Sequence, residues 1–347
     1  MTILLTMVAA FVAALLLTPL VKRLAIRLGA VDKPNHRKVH ARIMPRMGGL
    51  AIYAAFVLGY VLLRPESEYA AAIMIGATII VLTGLLDDFL EITAKAKMAG
   101  QLLAAGIVVF YGGLDIDFIN LPFGGTIDFG YLSIPLTILW IIGITNAINL
   151  IDGLDGLAAG VSTIALITLA VMAGFMDNIF VVAVAAILAA SCAGFLVFNF
   201  HPAKIFMGDT GSLFLGFMIS VLALTGFKNV TVISLVIPII ILGVPISDTF
   251  FAIVRRIRMK QPISAPDKSH LHHCLLRAGF SHRQTVLIIY SFAALFGLAA
   301  ILFSQATVWG AFLIIGIMLL VIELFVEIIG LAGQNYYPLL KLVKVKK

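Results

Sequence analysis

Hydrophobic residues run along this 347-residue chain in long blocks separated by short polar connections. Each block approaches the roughly 20 residues that a helix needs to cross a bilayer. The blocks lack the apolar–polar alternation of barrel strands, so helices are the predicted elements. Eleven crossings are predicted, at about residues 3–21, 48–63, 70–86, 98–111, 131–148, 157–174, 179–198, 211–227, 231–253, 285–303 and 307–330. Pro238, Gly243 and Pro245 interrupt the ninth and predict a broken helix. After the fourth, Leu114–Leu121 and Thr126–Leu132 alternate around a Pro122-Phe123-Gly124-Gly125 turn, which predicts a small β-hairpin. The expected fold is an all-α polytopic membrane protein. It forms one domain over 1–347, with no repeat of the whole fold.

Composition agrees: 62% of residues are hydrophobic and 12% are charged, more apolar surface than a soluble domain can bury. Cys192 and Cys274 suggest no disulfide framework. Met1–Leu20 has no basic leading segment and reads as a retained first crossing rather than a cleaved signal.

Charge adds orientation. All but two of the 24 Lys and Arg fall in alternate connections, the exceptions being Arg64 and Lys228. The basic set lies in loops at about 22–47, 87–98, 199–210 and 254–284 and in the C-terminal tail. Those loops, with 149–157, are therefore expected in the cytoplasm, with the N-terminus outside, the C-terminus inside and the hairpin outside. The net charge of +7 is then topology signalling and attraction to anionic membrane lipids, with recognition of a phosphorylated substrate as the functional alternative. No soluble module for nucleic acid is present, so nucleic acid is not an expected partner.

The unusual polar residues gather on the same side. Asp87 and Asp88 end the third segment, and Asn146, Asn149, Asp152 and Asp155 follow one another at a spacing of three. Asp209 sits between Gly208 and Gly211, and His270, His272 and His273 follow the ninth segment. Acidic clusters at a membrane surface suit Mg²⁺, which takes oxygen ligands and is commonly shared between carboxylates and substrate phosphates. The competing readings are helix caps for Asp209 and Ser212 and an interface anchor for Phe206. Helical spacing would point His270 and His272 to opposite faces, and no ligand pattern around them resembles a zinc site. Asp248, Glu323 and Glu327 lie in or near crossings and keep a proton-coupled transporter in view.

Seven segments resemble the polyprenyl-phosphate N-acetylhexosamine-1-phosphate transferases: Asp32–His40 with Pro45–Gly49, Leu86–Phe89, Ala94–Gln101, Asn146–Leu157, Phe206–Leu213 and His270–His273. The resemblance covers nearly the whole chain. It implies attack of a membrane polyprenyl phosphate on a UDP-sugar, releasing UMP. It implies Mg²⁺ (with Mn²⁺ as a substitute) on Asp209 and Asn149, and Asp87 and Asp88 binding or deprotonating the lipid phosphate. Phe206, Asn146, Asp152, Asp155 and Lys97 would meet the nucleotide, with Asp152 and Asp155 also among the catalytic carboxylates. Lys95, Arg37, His40, Arg46 and the three histidines would meet phosphate and sugar, and Arg255 and Arg256 the lipid. The split histidine motif resembles the WecA/TagO branch, which implies UDP-GlcNAc and undecaprenyl phosphate as substrates at a bacterial cytoplasmic membrane, and a homodimer. The alternative is the phospho-MurNAc-pentapeptide transferase branch.

Overall fold

In the computed structural model, residues 2–32, 43–120, 125–227, 232–262, 269–331 and 336–343 are described. Helix α1 (Ile3–Leu28) leads through β1 (Val31–Asp32) and β2 (Met44–Pro45) into α2 (Gly48–Leu63) and α3 (Ala70–Leu90). Helix α4 (Ala94–Gly106) continues as a π-helical turn, Ile107–Tyr111. Strands β3 (Phe118–Asn120) and β4 (Thr126–Asp128) precede α5 (Ser133–Ile151), α6 (Leu157–Phe175), α7 (Ile179–Asn199) and α8 (Gly208–Phe227). The remainder is α9 (Val232–Ile241), α10 (Gly243–Arg258), α11 (Leu271–Arg277), α12 (His282–Ser304), α13 (Val308–Ile329) and α14 (Pro338–Val343).

Among the described residues eight helices are long and apolar enough to cross a membrane: α1, α3, α5 with its preceding turn, α6, α7, α8, α12 and α13. The three other expected crossings map onto the shorter α2, the α4–π segment and the α9–α10 pair. The break expected in the ninth falls at Leu242, four residues after Pro238. The expected hairpin is present, with Ile119 opposite Ile127. A second two-stranded ribbon, Val31 opposite Pro45, lies where no strand was expected.

Burial sorts the helices. In α8, 83% of the apolar window is enclosed by protein, against 17% in α13. Helix α8 packs against α3 and α5, while α7 packs against α1 and α6. The head of α8 is approached closely by two neighbours. A Cβ on Gly49 would lie 2.0 Å from the Gly211 nitrogen, and one on Gly84 would lie 2.5 Å from the Thr210 Cα. Small residues there let α2 and α3 close onto the first turn of α8, and that turn carries Asp209.

Candidate active site

A helix leaves its first backbone N–H groups without partners, and buried donors need them. For α8 the partner comes from another helix. Asp88, 3% exposed near the end of α3, accepts from the backbone of Asp209 (3.0 Å) and Thr210 (3.1 Å), and from the Thr210 hydroxyl (2.5 Å). Gly208 has φ +73, and a Cβ there would stand 2.5 Å from Asp88 Oδ2, so glycine is required twice over. Both carboxylate oxygens of Asp88 are thereby engaged in placing Asp209.

Asp87 faces a different set of groups. The Lys97 ammonium, from α4, sits between Asp87 (3.1 Å) and Asp209, with which it makes its tightest contact. Asn149 donates to Asp209 Oδ1 (3.1 Å) and to the Ser212 hydroxyl (2.7 Å). One turn earlier, Asn146 and Gln101 exchange side-chain hydrogen bonds of 2.7 and 3.3 Å, tying α5 to α4. A cation is thus already held between two carboxylates by the fold. The oxygens of Asp87, Asp209, Ser212 and, with its amide turned, Asn149 form the hard donor set that suits Mg²⁺.

The loop between α5 and α6 brings the next carboxylate. Burial first, and then the charges of Asp209, Asp88 and Asp155, push the Asp152 carboxyl up to about 8. Beside it, a Cβ on Gly153 would fall 2.4 Å from His272 Nε2, so the histidine motif closes directly onto this loop. The His272 ring is 3% exposed, and burial, then His273, hold it down at about 3; it is neutral at ordinary pH. His270 and His272 rings lie parallel, with centroids 6.1 Å apart. The expectation that they point apart fails because His270 is the extended residue before α11, outside its helical period. Asp248, fully buried in α10, accepts from Leu271 N (2.7 Å) and pairs with His270 Nδ1 (2.9 Å).

Residues 70–227, which carry most of these groups, match the family model described as glycosyl transferase family 4. Over 97% of its length the chain is 51% identical to a Bacillus subtilis (strain 168) protein named "Probable undecaprenyl-phosphate N-acetylglucosaminyl 1-phosphate transferase", covering 96% of that protein. The chain belongs to glycosyl transferase family 4. It is also 36% identical, over 88% of its length and 84% of the relative, to the decaprenyl-phosphate N-acetylglucosaminephosphotransferase of Mycolicibacterium smegmatis. Identity is 27% to the undecaprenyl-phosphate alpha-N-acetylglucosaminyl 1-phosphate transferase of Escherichia coli K12, over 79% of this chain and 76% of that one.

In this family-4 chain the remaining expected site residues spread further. Arg46 bonds the Asp88 carbonyl (3.2 Å) and Glu91 (3.1 Å), bracing the end of α3. Phe206 is half-buried, and its backbone is stitched to Pro45 and Gly48. Lys95 is exposed, two residues and so just over a half-turn from Lys97 on α4. Arg255 is buried and donates to the Leu331 carbonyl (2.6 Å); Arg256 is 8% exposed beside it. Arg37 and His40 lie outside the described residues.

Asp155 stands apart from the Lys97 group: it pairs with His201 Nδ1 (2.8 Å) and accepts from Ala203 N (3.1 Å). Asn199 braces the same corner by accepting from Gly156 N (3.1 Å). Sequence reasoning in family terms missed Gln101, Thr210, His201 and His282. Each is a common residue type in an ordinary position, and only the chain's long-range packing gives it a partner. Asp248 was singled out as a membrane carboxylate and His270 as part of the histidine motif, but their pairing was not.

Proposed function

We propose that the chain transfers GlcNAc-1-phosphate from UDP-GlcNAc to undecaprenyl phosphate, releasing UMP, as the first membrane step of a cell-envelope glycan. The observation that carries this reading is the 51% identity along 97% of the chain to a relative named for that transfer. A phosphate oxygen of the lipid forms a bond to the β-phosphorus of the donor as the bond to UMP breaks. In this reading Asp209 and Asn149, with Asp87 beside them, hold Mg²⁺, which neutralises diphosphate charge; Mn²⁺ substitutes. Lys97 steadies the phosphates, and Asp87 receives the lipid phosphate. Asp88 places Asp209 through the head of α8. Asp152, Asn146 and Phe206 contact the nucleoside, and the histidines contact the donor diphosphate and sugar. Arg255 and Arg256 draw the lipid headgroup towards the break at Leu242.

The same proposal includes eleven crossings, N-terminus outside, C-terminus inside, the reaction site facing the cytoplasm of a bacterial membrane, and a homodimer. The placement of Lys and Arg supports the orientation. A single cysteine at exposed position 260, reacting with an impermeant thiol reagent in inverted but not right-side-out vesicles, is the expected outcome for topology; the reverse would refute it.

Turnover of the purified chain with undecaprenyl phosphate and a panel of UDP-sugars tests substrate choice. UMP release is expected with UDP-GlcNAc and not with UDP-MurNAc-pentapeptide. Release with the pentapeptide donor alone would assign the other branch.

A further inference from the structure

Lys97 is held in a way that contact with substrate phosphate alone does not explain. Its ammonium pairs with Asp87 Oδ2 (3.1 Å) and with Asp209 Oδ2, one carboxylate from α3 and one from α8. Among the described residues no other Lys or Arg pairs with either acid. The neighbouring Asp88 is met instead by the three donors at the head of α8. Asp209 Oδ1 accepts from Asn149, which leaves Oδ2 to the lysine. The ammonium therefore stands on the oxygens that a metal at Asp87 and Asp209 would need.

The helix beneath Lys97 is anchored on both sides. The Thr93 hydroxyl caps α4 by accepting from Ala96 N (3.3 Å), and the buried Gln101, one turn after Lys97, is tied to Asn146 of α5. Between these anchors the flexible four-carbon stem can carry the ammonium to a new partner while the backbone stays in place. The Lys97 side chain is 22% exposed, so the group is open on one side. A dication and an ammonium cannot use the same oxygens together. Mg²⁺ bonds at about 2.0–2.1 Å take the lone pairs that the ammonium uses, and two positive charges that close repel.

On the transfer reading given above, we propose that Lys97 is a tethered cation that competes with Mg²⁺ for Asp87 and Asp209, so that metal and donor bind as a coupled pair. In the absence of a diphosphate the ammonium neutralises the two acids. When metal and diphosphate enter together, the carboxylates exchange one cation for another and the freed ammonium turns to the phosphate oxygens. Neither the acids nor the lysine is left unpaired in either state, which is the costly outcome for charges in a partly buried group. By linkage, the donor and the metal tighten each other's binding by the same factor.

The test uses the full chain in non-ionic detergent. A short pulse of acetic anhydride labels free amines, and site-resolved mass mapping compares Lys97 with the exposed Lys95 of the same chain. Lys97 should be protected in chelator. Saturating Mg²⁺ alone should raise its labelling about threefold or more relative to Lys95, and UDP-GlcNAc added with Mg²⁺ should protect it again. This readout needs no variant to fold. Spin-resonance titration with Mn²⁺ supplies the second. Lys97→Met should bind Mn²⁺ about tenfold more tightly than the unaltered chain, and UDP-GlcNAc should tighten Mn²⁺ binding about tenfold in the unaltered chain but by less in the variant. Lys97 labelling that is unchanged or lower in Mg²⁺ would overturn the competition, as would Mn²⁺ bound no more tightly by the variant. UMP release from the same preparation tells this failure from that of the transfer reading. Release from UDP-GlcNAc with unmoved Lys97 labelling removes the competition and keeps the transfer. Displaced Lys97 with no release from any donor does the reverse.

Discussion

Asp88 in α3 and Thr210 in α8 are 122 residues apart in the chain, yet the carboxylate of one takes both the backbone N–H and the hydroxyl of the other. The same device recurs twice. Asp248 of α10 accepts from Leu271 N at the start of α11, and Glu327 of α13 accepts from Leu339 and Leu340 N at the start of α14. Where water is scarce, the free N–H groups of a helix start are satisfied by an acid on a neighbouring helix.

Removing that acid has a calculable effect. Asp88→Ala strands three buried donors at about 1–3 kcal/mol each, before any relaxation. A loss of about 3 kcal/mol or more is expected in denaturant unfolding, with Asp88→Asn falling between it and the unaltered chain. Unchanged stability in Asp88→Ala would contradict the cap.

Asp209→Asn should keep the fold, because its backbone N–H still reaches Asp88. Activity should drop about 100-fold or more, and the Mg²⁺ concentration for half-maximal rate should rise. Lys97→Met should lose a comparable factor, and Lys97→Arg should not restore it, since a planar fork cannot replace a point charge between Asp87 and Asp209. Near-normal turnover of Asp209→Asn at ordinary Mg²⁺ would refute the assignment.

The raised carboxyl of Asp152 makes stability depend on pH. It lies at about 8 in the fold, against about 4 in an unfolded chain. Between those values the folded chain holds a proton that the unfolded chain has released. This stabilisation is complete below about pH 4 and is lost as pH rises through about 8. In excess chelator, thermal unfolding of the unaltered chain should fall in temperature between about pH 5 and 9 by more than that of Asp152→Asn. Equal slopes would place the raised carboxyl elsewhere.

Asp248 joins a cap to the histidine motif. Asp248→Asn keeps an oxygen for Leu271 N but turns an N–H towards His270, favouring the opposite ring tautomer. The Michaelis constant for the sugar-nucleotide donor should rise about tenfold or more, with little change in unfolding. Asp248→Ala should raise the Michaelis constant as well and also lower the stability to unfolding, since it strands Leu271 N. An unaltered Michaelis constant in Asp248→Asn would detach His270 from the donor.

Much of this was legible along the chain. The apolar blocks, the interrupted ninth segment and the hairpin rest on local pattern, and each appears where Pro, Gly or alternation put it. The convergence of Asp87, Lys97, Asn149 and Asp209 followed from motif order. The division of labour between Asp87 and Asp88 did not: adjacent acids look alike in sequence, and only the approach of α8 turns one inward. The histidines misled for a related reason, since a helical period was applied to His270, which lies before its helix begins. Membrane carboxylates such as Asp248 and Glu327 invited a proton path, but each accepts from backbone N–H groups at a helix start, and Asp248 also pairs with His270, contacts that sequence does not display.

The most direct test follows the donor's β-phosphate. The purified chain, in vesicles with undecaprenyl phosphate, is given UDP-GlcNAc carrying ³²P at the β position. Sugar-1-phosphate transfer moves the label into the organic-extractable lipid and leaves unlabelled UMP in equal amount. Label remaining in water as UDP, with unlabelled sugar on the lipid, would contradict the account.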